Sequence, residues 1–168
     1  MTVIGSLLVT LLIVLFLSQV LKSHQEVQNP SPEAPSFQLP TLAGHIVNKE
    51  DFQGKALMVN FWGSWCEPCQ REMPVLEAAS RQYRDSQIVF LTVNAGENKQ
   101  IVESFSEENN LQLPILLDKG QKLMDKYQVN YLPSTYFIDA NGKIVNRHVG
   151  ELTEEQLYVY LEEIKSVH

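Results

Sequence analysis

The chain has 168 residues, with 13 Lys plus Arg against 20 Asp plus Glu and a net charge of −7. No basic stretch offsets that acid excess, which argues against a nucleic-acid partner, since phosphate binding needs clustered cations. The only two cysteines, Cys66 and Cys69, leave neither a separate structural disulfide nor a four-cysteine zinc site.

The first element is an apolar run. Residues 2–21 carry no charge and are mostly Val, Ile, Leu and Phe. About 20 such residues in a helix rise about 30 Å, enough to cross a hydrocarbon core. The run is longer than a signal-peptide core and no Ala-x-Ala-like site follows it. It therefore reads as a single transmembrane anchor over residues 1–21 rather than a cleaved signal or a buried core helix. Lys22 lies just past the span and no Lys or Arg precedes it, so the positive-inside count weakly opposes export of the rest of the chain. Residues 22–34, polar and broken by Pro30 and Pro32, read as an extended linker. Residues 35–168 are long enough for one domain with one core.

Within that domain, Phe37–Leu39 and His45–Val47 flank Thr41-Leu42-Ala43-Gly44 as an N-terminal β-hairpin, and residues 51–55 form a turn. Ala56–Phe61 is a short apolar run that reads as a buried strand. Residues 70–84 come next, with Met73, Leu76, Ala79 and Tyr83 at helical spacing, and Pro74 is expected to kink that helix. Ile88–Val93 is a second buried strand by its β-branched content. Residues 97–109 are helical through Ile101, Val102 and Phe105; residues 113–117 are a short apolar piece; residues 121–127 form a short helix. Thr135–Asp139 and Lys143–Val149 flank Ala140-Asn141-Gly142, and Asn-Gly predicts an antiparallel hairpin. Thr153-Glu154-Glu155-Gln156 is a capping box that opens a last helix with Leu157, Leu161 and Ile164 on one face. A βαβ half followed by a ββα half gives an α/β fold, a mixed sheet with helices on both faces. Small domains of this pattern with Cys-x-x-Cys after the first central strand are thioredoxin-like.

The chemistry is concentrated between strand and helix. A Cys-x-x-Cys pair at a helix start is the layout of a thiol–disulfide redox site. Unpaired N–H groups and the helix dipole favour a thiolate there, which assigns Cys66 as the exposed attacking thiol and Cys69 as the shielded resolving thiol. Pro68 suits the first turn, where its missing N–H costs nothing. Glu67 places a carboxylate beside the nascent thiolate and is expected to shift the pair toward reductant character. Trp65 and Trp62 are candidates for apolar walls of the site. Glu72, one helical turn beyond Cys69, and Glu97, after the second central strand, are candidate proton carriers. No phosphate-binding loop is present and no cofactor or metal is expected. A copper carrier pairing the thiolates with His148 is an alternative of a different class. Peroxide reduction would call for a separate peroxidatic cysteine.

The stretches Asn60-Phe61-Trp62-Gly63-Ser64-Trp65-Cys66-Glu67-Pro68-Cys69, Glu72-Met73-Pro74 and Tyr131-Leu132-Pro133-Ser134-Thr135-Tyr136-Phe137-Ile138 together resemble the membrane-anchored thioredoxin-like proteins of the ResA/TlpA family, with Glu67 and Glu72 closer to ResA. The resemblance runs from about residue 35 to 163. It implies a cis Leu132–Pro133 peptide facing the cysteines, with Leu132 backbone available to an extended substrate. Where cytosolic thioredoxins carry a buried acid, this chain has Asn60, which strengthens the case for Glu72. The resemblance further implies a domain outside the cytoplasmic membrane that reduces apocytochrome c. Its electron donor would be a membrane thiol-disulfide carrier of the CcdA or DsbD type. Reduction of another cell-envelope disulfide is the alternative within that class.

Overall fold

The computed structural model describes residues 31–166. The expected anchor at 1–21 and most of the expected linker lie outside the described residues. Among those described, no helix is long and apolar enough to cross a membrane.

A five-stranded sheet has the order β5-β4-β3-β6-β7, built from β3 (Ala56–Trp62), β4 (Ile88–Asn94), β5 (Ile115–Leu117), β6 (Ser134–Ile138) and β7 (Ile144–Val149). The pairs β3–β4 and β4–β5 are parallel, whereas β3–β6 and β6–β7 are antiparallel. A separate antiparallel hairpin joins β1 (Gln38–Pro40) and β2 (Ile46–Asn48), one residue later than the apolar pattern predicts. The helices are α1 (Glu67–Gln82), α2 (Lys99–Glu108), α3 (Lys122–Lys126) and α4 (Glu154–Ser166).

Strand β3 is buried along its whole length, so its alternating side chains feed two cores. Met58 and Trp62 face Met73 and Leu76 of α1, Val102 of α2 and Leu157 and Leu161 of α4. Leu57, Val59 and Phe61 face Leu123 of α3, together with Phe37 and Tyr136. Helices thus cover both faces, as the element order predicts. Period-two alternation sends Asn60 to the α1 side with Met58 and Trp62, and this polar residue in the centre of the sheet is fully buried.

Helix α1 begins at Glu67, three residues before the segment that the apolar spacing predicts, because Cys66 serves as its N-cap and Pro68 occupies the first turn. It continues through Pro74 to Gln82. The predicted capping box of α4 is present: Gln156 N–H donates to Thr153 Oγ1 at 3.3 Å, and Thr153 N–H to Gln156 Oε1 at 3.1 Å. The linker expected through residue 34 ends earlier. Ile144 N–H donates to Pro32 O and Ala34 N–H to Gly142 O, each at 2.9 Å. Glu33 forms ion pairs with Lys49 and Lys143 at 3.2 and 2.7 Å. These main-chain bonds to the β6–β7 hairpin fix a segment whose composition alone reads as extended coil.

Candidate active site

Gly63–Trp65 connects the C-terminal end of β3 to α1, at the sheet edge where parallel strands present their ligands. Cys66 and Cys69 form a disulfide with 5.2 Å between Cα atoms. Cys66 Sγ accepts a hydrogen bond from Cys69 N–H at 3.3 Å, which is a helix N-cap made by sulfur. That contact points one of the orphan donors of α1 at the sulfur that would carry the thiolate's charge.

The expectation of an exposed Cys66 does not hold. Cys66 is 5% exposed and Cys69 0%, so both are buried and the difference between them is small. The bond to Cys69 and the N–H donor draw Sγ inward. Trp65 instead supplies the exposed apolar surface, at 68% exposure. Its ring lies directly over Gly63, where a Cβ would sit 2.9 Å from Trp65 Cε2 and Nε1, so the missing side chain is what lets the ring settle there. Trp62 is a core residue, fully buried with its ring 5.2 Å from Phe105.

Glu67 is exposed and accepts from Arg71 Nη1 at 2.8 Å, so its charge is offset locally. Glu72 is the opposite case. It is fully buried, its Oε1 accepts from Asn60 Nδ2 at 2.8 Å and its Oε2 from Leu152 N–H at 2.9 Å. Burial outweighs those donors and pushes its carboxyl from the ordinary 4.5 up to about 7, with the Glu151 carboxylate adding to the rise. Asn60 Nδ2 also donates to Thr135 Oγ1 at 2.9 Å, so one amide links β3, β6 and α1. A carboxyl that gains and loses its proton near neutral pH therefore lies one turn behind Cys69, inside the domain.

Glu97 is placed differently from a free proton carrier. Ser64 N–H and Oγ donate to it at 2.7 and 2.5 Å, and Asn94 Nδ2 at 2.7 Å. With three donors on one carboxylate, it holds the Gly63–Trp65 loop against the end of β4. Leu132–Pro133 is cis, as the resemblance implies. Among the described residues, Leu132 main-chain groups make no hydrogen bond, while Pro133 O accepts from Gly150 N–H at 2.9 Å. His148 Nε2 lies 3.3 Å from Glu151 O, and its ring packs near Tyr160. Among the described residues no three His, Cys, Asp or Glu side chains gather as a metal site.

Two further carboxylates escaped the sequence reading. Buried Glu77 accepts from Gln112 and Leu113 N–H at 2.6 and 2.7 Å, fixing the approach to β5. Glu151 meets Arg71 Nε at 2.8 Å and Nη2 at 2.7 Å. Neither contact has a local sequence signature, because each partner is tens of residues away.

Residues 30–147 match the AhpC/TSA family. The chain is 35% identical to the thiol-disulfide oxidoreductase ResA of Bacillus cereus (strain ZK / E33L) over 142 residues, 84% of this chain and 82% of that protein. It is 40% identical to the ResA of Geobacillus kaustophilus (strain HTA426) over 132 residues, 79% of this chain and 76% of that one. The chain belongs to the ResA-like thiol-disulfide oxidoreductases of this family. Among solved structures, StoA from Bacillus subtilis superposes with a TM-score of 0.68 at 29% identity, covering 79% of this chain and 99% of StoA. A thioredoxin family thiol:disulfide interchange protein from Chlorobium tepidum TLS shares the fold, with a TM-score of 0.75 at 21% identity over 83% of this chain and 100% of its own. The ResA-like chain is accordingly an enzyme, a protein-disulfide reductase of thioredoxin-like fold.

Proposed function

We propose that this reductase acts on the disulfide of apocytochrome c outside the cytoplasmic membrane of a bacterium, freeing the cysteines for haem attachment. In this reading residues 1–21 anchor it as a single-pass protein, the residues after them tether it, and the domain faces away from the cytoplasm. A membrane thiol-disulfide carrier of the CcdA or DsbD type returns its electrons. The observation that carries the reading is a buried carboxyl with a proton affinity near neutrality one turn from the Cys66–Cys69 pair, in a chain related to ResA.

The chemistry balances as a two-electron exchange. Cys66 thiolate attacks one sulfur of the client disulfide, and the second client sulfur leaves as a thiolate that takes a proton. Glu72 carboxylate then removes the Cys69 thiol proton. The resulting thiolate attacks Cys66 Sγ and expels the first client sulfur as a thiolate, which takes up the proton that Glu72 releases, leaving a client dithiol and the intramolecular disulfide. Trp65 and the open Leu132 main chain flank the incoming segment, the latter offering strand-like hydrogen bonds. Glu97 holds the loop that carries Cys66.

Replacing Cys69 with Ala removes the resolving sulfur and leaves clients bound to Cys66 as mixed disulfides. Recovery of apocytochrome c among the trapped proteins supports the assignment. A trapped set that consistently lacks it, while holding other envelope proteins, rejects that client and keeps the redox chemistry.

A further inference from the structure

The segment after β7 is tied to the redox face at three points. Gly150, with φ +107 in the region that favours glycine, donates its N–H to Pro133 O at 2.9 Å. Leu152 N–H donates to Glu72 Oε2 at 2.9 Å. Between them, Glu151 Oε2 receives both Nε and Nη2 of Arg71, at 2.8 and 2.7 Å. The remaining fork of that guanidinium goes to Glu67 at 2.8 Å, so the residue between the cysteines and the residue beside Leu152 share one cation. Arg71 and Glu72 are neighbours on α1, and Glu151 and Leu152 are neighbours on the strap. An outer ion pair therefore runs beside the inner hydrogen bond.

We propose that Arg71 and Glu151 are positioning residues for Glu72: their ion pair clamps the Gly150–Leu152 strap onto α1, holding the Leu152 N–H on the carboxylate and fixing the charge next to it. The proposal rests on the reading of Glu72 as the proton carrier. Exposed ion pairs contribute little to stability. The planar fork of Arg, engaged on two carboxylates at once, instead supplies geometry that a point charge does not. The charged and titratable groups on the elements that meet at Glu72 are Glu67 and Arg71 on α1, and His148 and Glu151 at the end of β7; the Cys66–Cys69 disulfide carries no charge, and Asn60 and Thr135, from β3 and β6, are neutral. Removing Arg71 leaves two carboxylates uncompensated and makes Glu72 hold its proton more tightly. Removing the Glu151 charge takes away a carboxylate that favours the protonated form, an effect opposed by the loosened Leu152 donor.

The test uses the full chain in detergent micelles, with glutamate carboxyl carbons labelled for NMR titration and Glu72→Gln assigning the Glu72 signal. Arg71→Gln loses the cation and loosens the Leu152 donor, so the Glu72 midpoint is expected to rise by about half a pH unit or more. In Glu151→Gln the lost carboxylate lowers the midpoint while the loosened donor raises it, so a clearly smaller rise than in Arg71→Gln, or a fall, is expected. Leu152 amide exchange is expected to quicken in both. Arg71→Lys keeps the cation without the fork, so it is expected to restore the midpoint in part but not the Leu152 protection. A midpoint that does not rise in Arg71→Gln, or that rises as far in Glu151→Gln, overturns the proposal. Unchanged Leu152 exchange overturns the clamp. A separate control is the pH profile of disulfide reduction by Glu72→Gln. If that profile keeps its transition near neutrality, Glu72 is not the proton carrier, whatever the clamp does to its titration.

Discussion

Glu72→Gln offers a quantitative test of the buried carboxyl, independent of any client. Burial raises the Glu72 carboxyl from 4.5 to about 7, a gap worth roughly 3 kcal/mol at about 1.4 kcal/mol per pH unit. The sign comes from linkage. A carboxyl whose native value is raised binds its proton more tightly folded than unfolded. Its stabilising contribution is complete below pH 4.5 and is lost as the pH rises through 7. The amide cannot ionise, so the variant lacks this loss. It has a hydrogen-bond cost of its own, because Glu72 accepts from both Asn60 Nδ2 and Leu152 N–H, whereas an amide has one accepting oxygen. Turning the Asn60 amide over brings Oδ1, which is buried with no partner in the parent, against the new NH2 group but moves Nδ2 away from Thr135. That mismatch costs about 1 kcal/mol at every pH. The variant is thus expected to be about 1 kcal/mol less stable than the parent at pH 4.5 and about 2 kcal/mol more stable at pH 8.5. Urea unfolding of the oxidised protein across this range measures both. Parallel stability profiles for parent and variant would refute the idea that Glu72 is held neutral by burial.

Other consequences concern the loop and its supports. Glu97→Ala strips the carboxylate from Ser64 N–H, Ser64 Oγ and Asn94; a loss of about 2–3 kcal/mol and rapid amide exchange at Ser64 are expected, and a protected Ser64 amide would contradict the clamp. Gly63→Ala places a methyl 2.9 Å from the Trp65 ring. The exposed ring is expected to swing away, altering tryptophan fluorescence and slowing disulfide reduction, with stability within about 1 kcal/mol of the parent. Glu77→Ala leaves Gln112 and Leu113 N–H groups unpaired beside the core. A stability loss of roughly 3 kcal/mol is expected from denaturant titration, with the Cys66–Cys69 reduction potential unchanged.

The elements and the reaction centre were determined by the sequence alone. The apolar run of residues 56–61, the helical stripe from Met73 to Tyr83, the Asn-Gly hairpin and the Thr153–Gln156 cap are local patterns, set by side-chain hydrophobicity, periodicity and turn stereochemistry. Cys66 and Cys69 at a strand-to-helix junction needed no distant information either, nor did the spacing of Glu72 from Cys69. Only the tertiary structure decided what those carboxylates experience. Glu72 is desolvated because β3, α1 and the strap at Leu152, 80 positions along the chain, close around it. Glu67, only two residues from Cys69, stays in water with Arg71. Glu97 and Ser64, 33 positions apart, became a loop clamp through the parallel pairing of β3 and β4. Proton affinity depends on the dielectric and donors that packing brings to a group, and a spacing of three or four residues carries no record of them.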